Sequence, residues 1–82
     1  MFYVYILTNA EEDKYYIGYS SDLKRRLNEH KAGKVYWSRR LENVKLYYYE
    51  AYHSEELAKQ RERKLKQYGS ALKGLVKRIG LQ

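Results

Sequence analysis

Two phenols, a guanidinium, an imidazole and a carboxylate are spaced along this sequence in a way that suits phosphoryl transfer. Tyr5 lies in Val4-Tyr5-Ile6 and Tyr16 in Tyr16-Ile17-Gly18. Arg26 and His30 share the segment Ser21-Asp22-Leu23-Lys24-Arg25-Arg26-Leu27-Asn28-Glu29-His30. Glu62 stands in Lys59-Gln60-Arg61-Glu62-Arg63-Lys64. A guanidinium can fork two phosphate oxygens and stabilise charge that builds in a transition state. Histidine titrates near neutrality and serves as an acid or base. One carboxylate, together with phosphate oxygens and waters, is a normal magnesium site. Each residue also has a plainer reading. Tyr5 and Tyr16 fit a cross-strand core pair, Arg26 a solvated charge and Glu62 a surface salt bridge. His30 fits a partner for the last carbonyls of a helix.

The order of these segments resembles the GIY-YIG nuclease family, from about Phe2 to Leu75. The resemblance implies nucleic-acid cleavage assisted by one divalent ion, Mg2+ or Mn2+. It implies that Tyr5 and Tyr16 line the site, with Tyr5 a general base acting on water and Tyr16 orienting water or phosphate. It selects Arg26 over Arg25, has His30 hydrogen-bond the catalytic tyrosine or relay its proton, and makes Glu62 the metal ligand; His30, titrating near neutrality, is the alternative base to Tyr5. A phenol with an ordinary pKa of about 10 is a poor base, so nearby cationic charge and a metal ion must lower it. Val4 stands where the family motif has glycine. Ser38 falls at a position that often holds threonine, and Asn43 where proline is common.

The elements that must position these groups are legible from patterning. Phe2–Thr8 is β-branched and aromatic and reads as a strand, followed by a polar turn over Asn9–Asp13. Lys14–Tyr19 completes a hairpin that can bring Tyr5 and Tyr16 onto one face, and Gly18 suggests a close backbone approach. Ser21 fits an N-cap for a helix running to about Ala32 and closed by Gly33. Arg26 borders the inward stripe of Leu23, Leu27 and His30. Lys34–Asn43 reads as a loop, and Val44–Tyr52 as a third strand with Leu46, Tyr48 and Glu50 on one face. Ser54 caps a second helix whose apolar face is Leu57, Ala58, Leu65 and Tyr68, with Gly69 as its stop. Ser70 opens a third helix with a stripe of Leu72, Leu75, Val76 and Ile79. The order β-β-α-β-α-α predicts a small α+β sandwich, helices packed on a three-stranded antiparallel sheet.

The chain has 82 residues, a formal charge of +7 and no cysteine, which fits one domain over residues 1–82. A thiol nucleophile and a thiolate-held zinc are excluded. No signal-peptide pattern or long apolar run appears, so a cytoplasmic protein without a membrane span is expected. The basic balance points to a polyanion. Lys24, Arg25, Lys31, Lys34, Arg39 and Arg40 are candidate phosphate contacts, and Tyr36 and Trp37 candidate base stackers. The plainer reading of that loop is a solvated segment anchored by its tryptophan. The expected activity is structure-directed endonuclease cleavage, of DNA more than RNA, as in repair or recombination. The alternatives are a non-catalytic nucleic-acid-binding module and a subunit that a partner protein targets or activates.

Overall fold

The computed structural model describes residues 1–67 and 69–81, so the expected place of Tyr68 lies outside the described residues. Three strands, β1 (Phe2–Thr8), β2 (Tyr15–Ser20) and β3 (Lys45–Tyr52), form a sheet of order β2-β1-β3. Both pairings are antiparallel. Helix α1 (Leu23–Lys31) follows β2, and a 3₁₀ turn (Tyr36–Ser38) interrupts the loop before β3. Helices α2 (Glu55–Lys66) and α3 (Ser70–Ile79) complete the expected α+β order β-β-α-β-α-α.

The central strand is buried on both faces, which explains why its sequence is nearly all apolar or aromatic. Val4 and Ile6 pack with Ile17, Ala58, Leu65, Leu72 and Leu75 on the α2/α3 side. Tyr5 and Leu7 pack with Leu41, Leu23, Leu27 and Leu46 on the α1 side. No helix among the described residues is long and apolar enough to cross a membrane.

Several local expectations are corrected. A bulge falls where Ile6 pairs with Tyr48 but Leu7 pairs with Leu46. The extra residue, Tyr47, turns Leu46 and Tyr48 to opposite faces, so they do not share one. Asp22, not Ser21, caps α1, and its carboxylate accepts from the Arg25 amide at 3.1 Å. The Ser20 hydroxyl braces that cap, accepting from the Asp22 amide and donating to the Asp22 carbonyl. Gly33, at φ +72°, closes α1 as expected, because the left-handed turn lets the Lys34 amide reach back to the Glu29 carbonyl. Ser54 caps α2 through the Leu57 amide, yet Leu57 itself is 54% exposed. The buried line of α2 is the narrower pair Ala58 and Leu65. Gly69 is the N-cap of α3 rather than a stop for α2, and Ser70 is the first helical residue.

Candidate active site

Pairing within the hairpin sets the site. Tyr5 lies opposite Gly18, and Tyr16 lies opposite Leu7, so both tyrosines share the α1 face as diagonal neighbours. The Tyr5 ring lies flat against Gly18, where an added Cβ would come within 2.3 Å of the hydroxyl oxygen and its ring carbon. Glycine is therefore required opposite the tyrosine, and the suggestion of a close approach holds.

The Tyr5 hydroxyl is 2.8 Å from His30 Nε2, and His30 Nδ1 is 2.6 Å from Ser38 Oγ. Ser38 in turn donates to the Val35 carbonyl at 3.3 Å. Because that carbonyl can only accept, the consistent assignment has Nδ1–H donating to Ser38 and Tyr5 O–H donating to Nε2. His30 thus serves as a hydrogen-bond partner of Tyr5, as the resemblance implied, and not as a cap for the helix end. Its side chain is buried in the last turn of α1.

Burial favours the neutral forms of both groups. Burial pushes the Tyr5 phenol up to about 12, although the Arg26 guanidinium pulls the other way. Cationic help is present beside Tyr5, as expected, but burial outweighs it. Burial first, then the Arg26 charge, holds His30 down to about 4. The phenol and the imidazole therefore share one proton between two weakly ionising groups at neutral pH.

Arg26 and Arg25 are told apart by their surroundings. Arg25 is 61% exposed and pairs with Glu29 at 3.2 Å and Asp22 at 3.7 Å. Arg26 is half-buried, donates to Glu29 at 3.0 Å and also faces the Tyr5 hydroxyl. Glu29 orients the guanidinium and leaves several of its five N–H groups for another anion. The Tyr16 ring lies 5.1 Å from the His30 ring between centroids. Lys66 Nζ sits 5.7 Å from the Tyr16 centroid and 3.1 Å from the Glu62 carboxylate. Glu62 is mostly shielded at the edge of α2, and its charge reaches Tyr5 and Tyr19.

Ser38 and Lys66 are the site neighbours that patterning missed. Ser38 lay in a segment without periodicity. Lys66 was recognisable as the residue one turn after Glu62, where an i,i+4 acid–base pair forms. Among the described residues no group of three or more histidine, cysteine or acidic side chains could hold a metal. The carboxylate that the resemblance assigns to a metal, Glu62, stands among the described residues without a second acidic partner of its own. That fits a hard divalent ion whose remaining ligands are phosphate oxygens and water.

The basic residues divide into two groups. Lys24 and Arg25 line a surface cleft on the outer side of α1, with Asp22 and Glu29 beside them. Lys31 and Arg39 border a recess that also contains His30 and Ser38. Arg40 donates to the Tyr15 carbonyl and Arg39 to the Gly33 carbonyl. Lys34 is exposed. Trp37 does not anchor its loop, since it is 70% exposed; Val35, Ser38 and Leu41 are the buried anchors.

A paired-tyrosine hairpin backed by histidine and arginine, on this α+β sheet, defines a GIY-YIG-type domain. The profile described as the GIY-YIG catalytic domain matches residues 1–76, and the chain belongs to that family. It is 41% identical to a UPF0213 protein of Streptococcus agalactiae serotype V over 79% of this chain and 74% of the relative. A UPF0213 protein of Haloquadratum walsbyi is 36% identical over 80% of this chain and 74% of its own. The solution NMR structure of a UPF0213 protein from Bacillus halodurans superimposes with a TM-score of 0.58 at 29% identity. That alignment covers 99% of this chain and 87% of the other.

Proposed function

We propose that this chain is a divalent-metal-dependent endonuclease that hydrolyses nucleic-acid phosphodiesters, DNA in preference to RNA, by structure rather than sequence. The observation that carries the reading is the hydrogen-bonded line Tyr5–His30–Ser38 with the Arg26 guanidinium beside its phenol end. The Tyr5 proton points at Nε2, so the phenol oxygen keeps its lone pairs for an attacking water. As the water oxygen bonds to phosphorus, its proton passes to Tyr5 and the tyrosine proton passes to Nε2. The P–O bond to the leaving oxygen breaks on the opposite side. A phosphate anion drawn in by Arg26 favours the imidazolium that results. Arg26 also stabilises the charge gathering on the equatorial oxygens. Tyr16, against the His30 ring, positions the phosphate. Glu62, now paired with Lys66 at 3.1 Å, would hold a Mg2+ or Mn2+ ion, which would supply Lewis-acid neutralisation of the leaving oxygen. The candidate contacts are cations for phosphates and rings for base faces, so sequence preference is expected to be low.

A second reading, a binding module or a partner-activated subunit, is favoured by one observation. In the free chain burial keeps the Tyr5 phenol, near 12, protonated and makes the His30 imidazole, near 4, a weak base at neutral pH. Cleavage of labelled single-stranded, duplex, nicked and branched DNA and RNA decides between them, with Mg2+, Mn2+ or chelator. The nuclease reading expects metal-dependent cutting that disappears in Arg26→Ala and Glu62→Ala while binding persists. Binding without cutting by every form, Glu62→Ala binding as well or better, supports the second reading.

A further inference from the structure

Trp37 and Tyr36 are the two most exposed large apolar side chains among the described residues, at 70% and 67%. Their rings meet edge to face with centroids 5.0 Å apart. The Arg39 guanidinium lies 5.6 Å from the Tyr36 centroid. Arg39 and Arg40 are tied to backbone carbonyls at 3.1 and 3.2 Å, so the cations flanking the rings are held in place. These four side chains line one recess. From Lys31 to Arg40 the chain carries four cationic residues and no acidic one. Exposed paired rings need a reason, because water meets their apolar faces at a cost. The third residue of the same 3₁₀ turn supplies one. Ser38 points inward and holds His30 at 2.6 Å. Platform and reactive line are thus adjacent residues of one turn.

We propose that Tyr36 and Trp37 stack an unpaired base next to the scissile phosphate, so that the substrate is DNA with a single-stranded segment at the point of cleavage. This rests on the nuclease reading for the word substrate, though the binding it predicts is independent of turnover. A duplex hides its base faces within the stack and offers these rings only edges and phosphates. An unpaired base offers a free face, and the arginines meet its flanking phosphates. The cationic loop selects this occupant over a protein surface.

The sequence has one tryptophan, so its fluorescence reports on position 37 alone. The full chain in chelator, where cutting is prevented, would be titrated with an oligothymidine and with a blunt two-strand duplex of equal phosphate count. Polarisation of the labelled DNA would be read in parallel. The expected result is strong quenching and tighter binding by the single strand. Trp37→Ala should weaken that binding about 5- to 150-fold, the span of one base–aromatic stack. It should leave duplex affinity nearly unchanged, and Trp37→Phe should restore most of the loss. Equal quenching by both DNAs, or an equal loss on both in Trp37→Ala, would overturn the proposal. So would single-strand binding that leaves Trp37 unquenched. Self-association that vanishes in Trp37→Ala would reassign the surface to a protein contact and overturn it too. A chain that stacks single strands but never cuts would sink the nuclease reading alone. One that cuts blunt duplex as fast as single-stranded DNA would sink this one alone.

Discussion

Two polar networks hang from the sheet, and they differ in how completely their donors and acceptors are matched. On the α2 side, Glu50 accepts from Tyr48 at 2.7 Å, Tyr52 at 2.6 Å and Arg61 at 3.0 and 3.1 Å. Burial alone would raise the Glu50 carboxyl, but Arg61 and the two tyrosines outweigh it and hold the carboxyl below its ordinary value. The proton-bearing partners adjust in turn, and Tyr52 is pushed up to about 12 by burial and by Glu50. On the α1 side, Tyr5, His30 and Arg26 also combine a phenol, a ring and a guanidinium. There, however, the carboxylate is Glu29, which holds Arg26, and Tyr5 meets the imidazole and the guanidinium rather than a carboxylate. The closed network has its charges paired within itself, and its work is to fasten β3 to α2. The open one keeps guanidinium donors and phenol lone pairs unspent, which is what a reacting phosphate requires. Tyrosine next to arginine therefore does not mark chemistry by itself. A network that keeps donors and lone pairs for a ligand is what the proposed chemistry would need.

The contrast is broken most forcefully by exchanging losses between the two arginine networks. Arg26→Ala should cut the rate of cleavage by about 10²–10³, the cost of removing one preorganised donor from developing charge. Its thermal midpoint should move little, because the side chain is half-exposed. Glu50→Ala should do the reverse. It strands Arg61 and two hydroxyls in a mostly shielded site, and a loss of about 2–4 kcal/mol is expected. In a domain of this size that lowers the midpoint by roughly 10–25 °C. Cleavage measured well below the new midpoint should stay near wild type. A stability loss in Arg26→Ala as large as in Glu50→Ala would erase the distinction.

Acid separates the networks by pH. Unfolded His30 takes a proton near its ordinary 6.5, while the buried ring refuses one until about 4. Between those values the unfolded chain binds more protons, so stability is full above 6.5 and falls as the pH drops through the window. At about 1.4 kcal/mol per unit, the loss approaches 3 kcal/mol. Glu50, depressed from an ordinary 4.5, gives up its contribution only at lower pH. Denaturant midpoints taken from pH 7 to 4 should slope downward in wild type and flatten in His30→Gln. A flat wild-type profile would mean that the ring is hydrated.

How much of this was visible beforehand follows from which signals are local. The hairpin, α1 and α2 announce themselves through alternation, helical spacing and caps within a few residues. Tyr5 and Tyr16 sharing a face follows from strand parity once the hairpin is assumed. The bulge at Tyr47 is invisible because Tyr47-Tyr48-Tyr49 presents the same side chain to either face, so no slip of register shows. Asp22 and Ser21 are adjacent and both cap-competent, and only the brace from Ser20 chooses between them. Leu57 reads as core by type, yet α2 presents a narrow line to the sheet. The loop from residue 34 to 43 has no period at all, and that is where the inward turn of Ser38 and the outward turn of Trp37 were lost to pattern reading.

Ser38 carries the smallest expected effect and the sharpest test of the open network. Among the described residues it ties the reactive line to the backbone, through the Val35 carbonyl. Ser38→Ala leaves a buried Nδ1–H without a partner, which costs about 1–2 kcal/mol of stability. The same loss frees the ring to take the other tautomer, in which Nε2–H no longer accepts from Tyr5. Cleavage should then fall by up to about tenfold, the equivalent of one hydrogen bond. Its pH profile should move, because the imidazole is no longer fixed as an acceptor. Ser38→Thr keeps the hydroxyl and should recover the profile, even where the added methyl costs some stability. A variant that merely loosens the loop would lower stability and leave the profile in place. A shifted profile in Ser38→Ala that threonine restores can come only from the proton line itself.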